Sequence, residues 1–268
     1  MVKEGAQIID IGGESTRPKA ETIEIEIEKN RIIPVIEAIR QKDQNCIISV
    51  DTRKAAVARA AIEAGADIIN DVSGGQYDPL MIPLIEETFT PYIAMHMRGE
   101  PSNMSDSKYS TYHNVVNEVI EELIEVCNRL DDRLPRWLQM IDPGIGFAKT
   151  GVTNQEILKP HHLLYYKERL DNRPLLIGLS RKRFLTINYE ETILQRRKQL
   201  ILNDDLSVEE GGESNQRSDG NCSSVHDRDL FTAGVCCATI LGKVDILRVH
   251  NVDEIRKVCD SFATTIMK

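Results

Sequence analysis

No stretch of this chain is apolar for long enough to cross a bilayer or to form the core of a secretory leader. A soluble folded protein without a membrane span is therefore expected. Positive charge is also short. Lysine and arginine number 33 against 42 aspartates and glutamates, a formal net charge of −9. That balance argues against a nucleic-acid partner bound through a bulk positive field and leaves room only for a local basic pocket that takes a small anion. None of the six cysteines forms a C-x-x-C pair. Cys46 lies in a strand-like run and Cys236-Cys237 in an apolar helix-like one, so reduced thiols packed as small hydrophobes in a reducing compartment are expected. The 268 residues suit one large domain, 1–268.

What the chain does have is one repeated phrase. From Leu138 to Ala148 an apolar run ends in Asp142, and Pro143, Gly144 and Gly146 then close a turn. This reads as a buried strand delivering a carboxylate to a rim. The same grammar recurs at Ile8–Ile11 before Gly12-Gly13, Ile47–Val50 before Asp51, Ile68-Ile69 before Asn70-Asp71, and Tyr92–Met95 before His96. It returns at Leu175–Leu179 before Ser180 and at Ile246–Val249 before His250. If these seven strands are parallel, their polar ends gather on one face.

Helical patterns at Glu21–Gln41, Lys54–Ala64, Tyr112–Leu130, Asn154–Leu170, Leu230–Leu241 and Val252–Met267 alternate with the strands. Right-handed βαβ units and a parallel sheet follow. Met1 to Gly5 reads as the last turn of a helix stopped by glycine, so a preceding strand is expected to be missing. Seven strands and that one make eight, which favours an α/β fold of (β/α)8 TIM barrel type, lacking its first strand and part of its first helix, over an open doubly wound sheet. An opened ring would leave two unpaired strand edges. The segment from about 202 to 229 turns acidic and then rich in Gly, Ser and Asn, and a solvent-facing disordered insertion is expected there.

Several residues could carry chemistry, each with a plainer reading beside it. Gly12 to Pro18 offers amides, two hydroxyls and the Arg17 guanidinium as an anion cradle, yet glycine loops are common turns. Asp51 could simply cap a helix and Asn70 close a turn. His96, between two methionines, reads as a packed histidine. Ser180-Arg181-Lys182-Arg183 would ordinarily be a solvated charge run, but a strand end fixes it at the carboxyl face of the sheet, where barrel sites lie. Arg248 and His250 point to one side of their strand and Val249 to the other.

In combination these segments resemble dihydropteroate synthase. The motifs are Asp10-Ile11-Gly12-Gly13-Glu14-Ser15-Thr16-Arg17-Pro18, Ser49-Val50-Asp51-Thr52-Arg53, Ile69-Asn70-Asp71-Val72-Ser73-Gly74 and Met95-His96-Met97-Arg98-Gly99. They continue with Asp142-Pro143-Gly144-Ile145-Gly146-Phe147, Ser180-Arg181-Lys182-Arg183-Phe184 and Arg248-Val249-His250-Asn251. The resemblance covers nearly the whole chain apart from the insertion. It implies a barrel that condenses p-aminobenzoate with 6-hydroxymethyl-7,8-dihydropterin diphosphate to give 7,8-dihydropteroate and pyrophosphate in folate biosynthesis.

Carried over residue by residue, the resemblance assigns Asp51, Asn70, Asp142 and Lys182 to the pterin. Arg248 would pack on the pterin face and, with His250 and the Thr16 loop, hold the diphosphate. Thr16, Arg17, Pro18, Phe147, Ser180 and Lys182 would surround p-aminobenzoate. Asp51, Asp142 and Lys182 are the catalytic set, the two carboxylates stabilising positive character at the pterin methylene carbon. Magnesium would come mainly with the substrate diphosphate, with no metal site of the chain's own, because the asparagine usually serving it belongs to the missing first loop.

The family further implies a homodimer, a cytoplasmic or alternatively mitochondrial location, and a possible upstream fusion to other folate-pathway domains, as in fungal-type proteins. Lys19 stands where the family usually has glycine. Two other readings are a pterin-binding methyltransferase domain, against which Ser15 to Pro18 and Ser180 to Lys182 argue, and a truncated, non-catalytic pterin-binding remnant.

Overall fold

The structure is a computed structural model that describes residues 1–187 and 224–266. Seven strands form in the expected places: β1 (Ile8–Gly12), β2 (Ile47–Asp51), β3 (Ile68–Asp71), β4 (Tyr92–Met95), β5 (Gln139–Asp142), β6 (Leu176–Ile177) and β7 (Ile246–Leu247). All pair in parallel. β1 to β5 lie side by side in chain order, β6 pairs with β7, and an isolated bridge between Ile141 and Leu175 links the two groups. Among the described residues no ladder joins β7 to β1. The arc of strands therefore stays open at that seam, which is spanned by an ion pair from Arg248 to Asp10 and a hydrogen bond from the Arg256 guanidinium to the Gly5 carbonyl.

Alternation along the strands splits the apolar residues between two faces. Ile48, Val50, Ile69, Tyr92, Ala94, Ile141 and Ile177 face outward into the main core beneath the helices. Ile68, Ile93, Met140 and Leu176, flanked by Ile8 and Ile246, form a separate apolar layer inside the arc. Two residues further along the same strands stand Asp10, Asn70, Met95, Asp142, Gly178 and Arg248. Period two thus stacks a mostly polar layer on an apolar floor, and because every strand runs the same way that layer lies at one end.

Helices among the described residues include α1 (Ile25–Lys42), α2 (Ala55–Glu63), α3 (Met81–Thr88), α4 (Ser107–Ser110), α5 (Val115–Asp131), α6 (Gly151–Ile157), α7 (Pro160–Arg169), α8 (Val225–Leu241) and α9 (Val252–Ile266). Four differences from expectation have local causes. The first helix starts at Ile25 and not at Glu21, with Ile23 tied on both sides outside it: its N–H binds the Glu14 carboxylate at 2.9 Å and its carbonyl accepts from Lys54 at 2.7 Å. The helix expected over Asn154–Leu170 is two, with Pro160 opening the second. α3 went unread because its apolar stripe spans only two turns and contains Pro83. Of the expected 202–229 insertion, residues 202–223 lie outside the described residues. Ser224 to Asp229 are instead a capped helix start, in which the Ser224 hydroxyl accepts from Asp227 N–H at 3.1 Å and the Asp227 carboxylate returns to Ser224 N–H at 2.7 Å.

Candidate functional site

The polar layer is tied together by Arg248. Its Nη1 lies 3.2 Å from both Asp10 Oδ2 and Asp51 Oδ2. The rest of its guanidinium lies against Gly178, where a Cβ would meet Nε and Nη2 at 3.2 Å. Asn70 Nδ2 donates to Asp10 at 3.3 Å. Burial, then repulsion by Asp10, raises the Asp51 carboxyl to about 7 against the pull of Arg248. Burial also raises Asp142, opposed by Arg248, by the Gly144 N–H at 2.7 Å and by Lys182. Burial, with help from Arg248, brings the Lys182 ammonium down to about 8 while Asp142 and Asp51 hold it up. Desolvation thus brings Asp51 and Lys182 close to neutrality and raises Asp142, with one Asp51 oxygen lacking any partner among the described residues.

Next to this layer opens a cavity of about 1560 Å3 lined by Asp10, Thr16, Arg17, Pro18, Phe147, Ser180, Lys182, Arg248 and His250, and continuing between β1 and β7 past Ile8 and Ile246. The seam between those strands adds to its volume. Lys182 Nζ stands 4.6 Å from the Phe147 ring centroid. The Ser180 hydroxyl accepts from the His250 backbone N–H at 3.1 Å and is also hydrogen-bonded to His250 Nδ1 at 2.9 Å. Arg181 also lines the cavity and makes a bidentate pair with buried Asp229 at 2.7 and 2.8 Å.

Of the residues singled out from sequence, Thr16, Arg17, Pro18, Phe147, Ser180, Lys182, Arg248 and His250 share this one cavity. Asp51, Asn70 and Asp142 do not line it. Asp51 and Asn70 are reached through Arg248 and Asp10, and Asp142 through the fields of Arg248 and Lys182. Asp10 is a site residue that sequence reasoning quoted but gave no role. The available signal was its position, two residues beyond Ile8 on the inward face. Asp71, by contrast, is fully structural, accepting from Ser73, Gly75 and Tyr92.

Buried ion pairs hold the loop that carries Thr16 to Pro18. Lys54 Nζ touches Glu14 and Glu28 at 2.6 Å each, and Arg53 Nε reaches Glu14 at 2.9 Å. Burial alone would raise Glu14, but Lys54, the Ile23 N–H and Arg53 hold it below the usual range. The Lys19 N–H is anchored on the Pro101 carbonyl at 2.8 Å. Lys19 has φ +64°, Ala148 +49° and Arg181 +57°. Three non-glycine residues at the cavity edge are thus left-handed, a conformation that costs roughly 1–2 kcal/mol each. A glycine at the Lys19 position would carry no such cost.

The description "Pterin binding enzyme" belongs to a family whose model matches residues 1–250. A "Folate synthesis bifunctional protein, mitochondrial" of Arabidopsis thaliana is 38% identical over 97% of this chain and 44% of its own length. The "Dihydropteroate synthase" of a Synechocystis strain is 35% identical over 97% of this chain and 77% of its own. The chain spans about half the length of the curated plant relatives it matches. Among solved structures, Xanthomonas albilineans dihydropteroate synthase with 4-aminobenzoic acid superposes with a TM-score of 0.76 at 29% identity, covering 98% of this chain and 80% of that one.

Proposed function

The chain belongs to the pterin binding enzyme family, and from that premise we propose that it is a dihydropteroate synthase module joining p-aminobenzoate to 6-hydroxymethyl-7,8-dihydropterin diphosphate. The observation that carries this reading is the inward layer of Asp51, Asn70, Asp142 and Arg248 beside a cavity bearing Thr16, Arg17, Pro18, Phe147, Ser180, Lys182 and His250. A pterin edge presents adjacent N–H donors and a ring acceptor. Asp142 has one oxygen on Gly144 N–H and the other open for such a donor, while Asn70 and Lys182 serve the remaining edge. Arg248, His250 and the Thr16 loop supply positive charge and donors for the diphosphate.

In the reaction the p-aminobenzoate nitrogen forms a bond to the pterin methylene carbon. The bond from that carbon to the diphosphate oxygen breaks, pyrophosphate leaves with the electron pair, and the nitrogen then loses a proton. Carbon–oxygen cleavage leads or accompanies attack, so positive character develops at the methylene and the Asp51 and Asp142 carboxylates stabilise it. No side chain forms a covalent intermediate. Magnesium would come with the diphosphate, whose oxygens it prefers.

A homodimer and a cytosolic or mitochondrial location complete the proposal, as does fusion to another folate-pathway domain. The bifunctional and mitochondrial names of the plant relatives support the last two. The test is conversion of the two substrates to dihydropteroate by the purified chain, with p-aminobenzoate binding measured in the presence of pyrophosphate. Product formation supports the synthase. Pterin binding without p-aminobenzoate binding would point instead to a pterin-binding methyltransferase, and pterin binding without turnover to a non-catalytic remnant.

A further inference from the structure

The turn after β5 carries Asp142 at its near end and Phe147 at its far end, and Lys149 folds back beneath it. A protonated lysine has three N–H donors. Lys149 Nζ meets three acceptors: Gly144 O at 3.1 Å, Phe147 O at 3.0 Å and His96 Nδ1 at 2.9 Å. Because Nδ1 accepts, His96 is neutral and its Nε2–H donates to Glu122 Oε2 at 2.9 Å. Glu122 is fixed in turn by Arg98, whose Nε lies 2.9 Å from Oε1 and whose Nη2 also holds Glu118 at 2.9 Å. Each of the three Lys149 N–H groups thus has its own acceptor.

The two ends of the turn are secured differently. Asp142 belongs to the sheet, its carbonyl accepting the His96 N–H at 2.9 Å. Gly144, at φ +71°, packs so closely on the His96 backbone that a Cβ would come within 1.9 Å of its carbonyl oxygen. Phe147 lies beyond the sheet next to left-handed Ala148, its ring packed with Val72, Met95, Met97 and Met104, while its backbone is held by the Phe147 N–H to Gly144 O, by the Gly146 N–H to Asn154 Oδ1 and by the Lys149 clamp. The Phe147 ring is the surface against which Lys182 stands.

We propose that Lys149, oriented through neutral His96 by Glu122, is a positioning residue that locks the Gly144–Phe147 turn and so sets affinity for p-aminobenzoate while leaving the pterin end to the sheet. The inference rests on the synthase reading above. The Lys149 ammonium faces Asp142, Glu122, Arg98 and Lys182 as well as His96, and burial is the leading cause that brings it down to about 7. Loss of its proton removes one of three donors. The clamp is therefore complete below that pH and released above it.

The experiment measures KM for each substrate from about pH 6 to 8.5 in wild type, K149M, H96F and H96N, with amide hydrogen exchange of residues 144–148. Asparagine keeps an acceptor where His96 Nδ1 stands, and phenylalanine does not. The expected result is a p-aminobenzoate KM about tenfold higher in K149M and H96F at low pH, with the pterin KM within about twofold. The wild-type rise of KM with pH should vanish in K149M, and H96N should recover most of the affinity. Exchange at 144–148 should be about tenfold faster in K149M and H96F. Unchanged KM values, or both substrates weakened in parallel by a variant with wild-type melting, overturn the proposal. Should wild type bind no p-aminobenzoate, exchange decides alone: faster exchange upholds the clamp while the synthase reading falls, and unchanged exchange overturns the clamp.

Discussion

Replacing Asp142 with asparagine separates binding from folding. Asp142 is 3% exposed, its Oδ1 accepts from the Gly144 N–H at 2.7 Å, and its carboxylate has no other hydrogen-bond donor among the described residues. Asparagine keeps the shape and can keep the Gly144 bond through its carbonyl oxygen, but it loses the charge offered to a ligand N–H. A hydrogen bond to a charged group is worth about 1.5–3 kcal/mol, so affinity for a pterin diphosphate analogue should fall roughly 10- to 150-fold. Stability should move the other way or not at all. Burial raises the Asp142 pKa, so the folded state holds its proton more tightly than the unfolded chain does. The stability that this contributes is full below the unfolded value of about 4 and is lost as pH rises through the folded one, and at neutral pH asparagine no longer bears the desolvated charge. Calorimetric titration with the analogue and magnesium, beside a melting scan at pH 7.5, checks both arms. Unchanged affinity would remove Asp142 from the pterin site, and a large drop in melting temperature would show that its carboxylate is structural.

Asp51, raised to about 7, predicts that melting temperature falls as pH rises from about 4 to 7 in the unliganded protein, and D51N should flatten that slope in a pH series of thermal scans. K54M leaves Glu14 and Glu28, 5% and 1% exposed, without their shared cation, and should cost about 3–5 kcal/mol in urea unfolding. A cost under about 1 kcal/mol would mean that those carboxylates take up protons instead. D229A removes the bidentate partner of left-handed Arg181 and should cost about 1–3 kcal/mol, with D229N milder because it keeps one acceptor. Equal losses in the two variants would show that the pair's geometry contributes nothing.

Strand placement was legible because each strand is a short apolar run ended by a polar residue, and a parallel arrangement sends all those ends one way. The placing of Asp51, Asn70, Asp142, Lys182, Arg248 and His250 at one end of the sheet was legible for the same reason, since each stands at or just beyond the end of a strand. Helix ends were less so. Where α1 begins goes with Ile23 being tied by the distant residues Glu14 and Lys54, and the division between α6 and α7 depends on how the chain turns at Pro160.

The sequence by itself determined the alternation of strands and helices, the absence of a bulk positive field, and which residues stand at the strand ends, because period and composition are local properties. The tertiary structure alone decided that Asp10 joins Asp51 under Arg248, a contact across 238 residues. It also decided that Lys54 is a buried counter-ion and that His96, an ordinary packed histidine by sequence, orients Lys149 beneath the Phe147 turn. Those roles depend on desolvation and on partners supplied by distant strands and helices. Neither is written in the residues on either side.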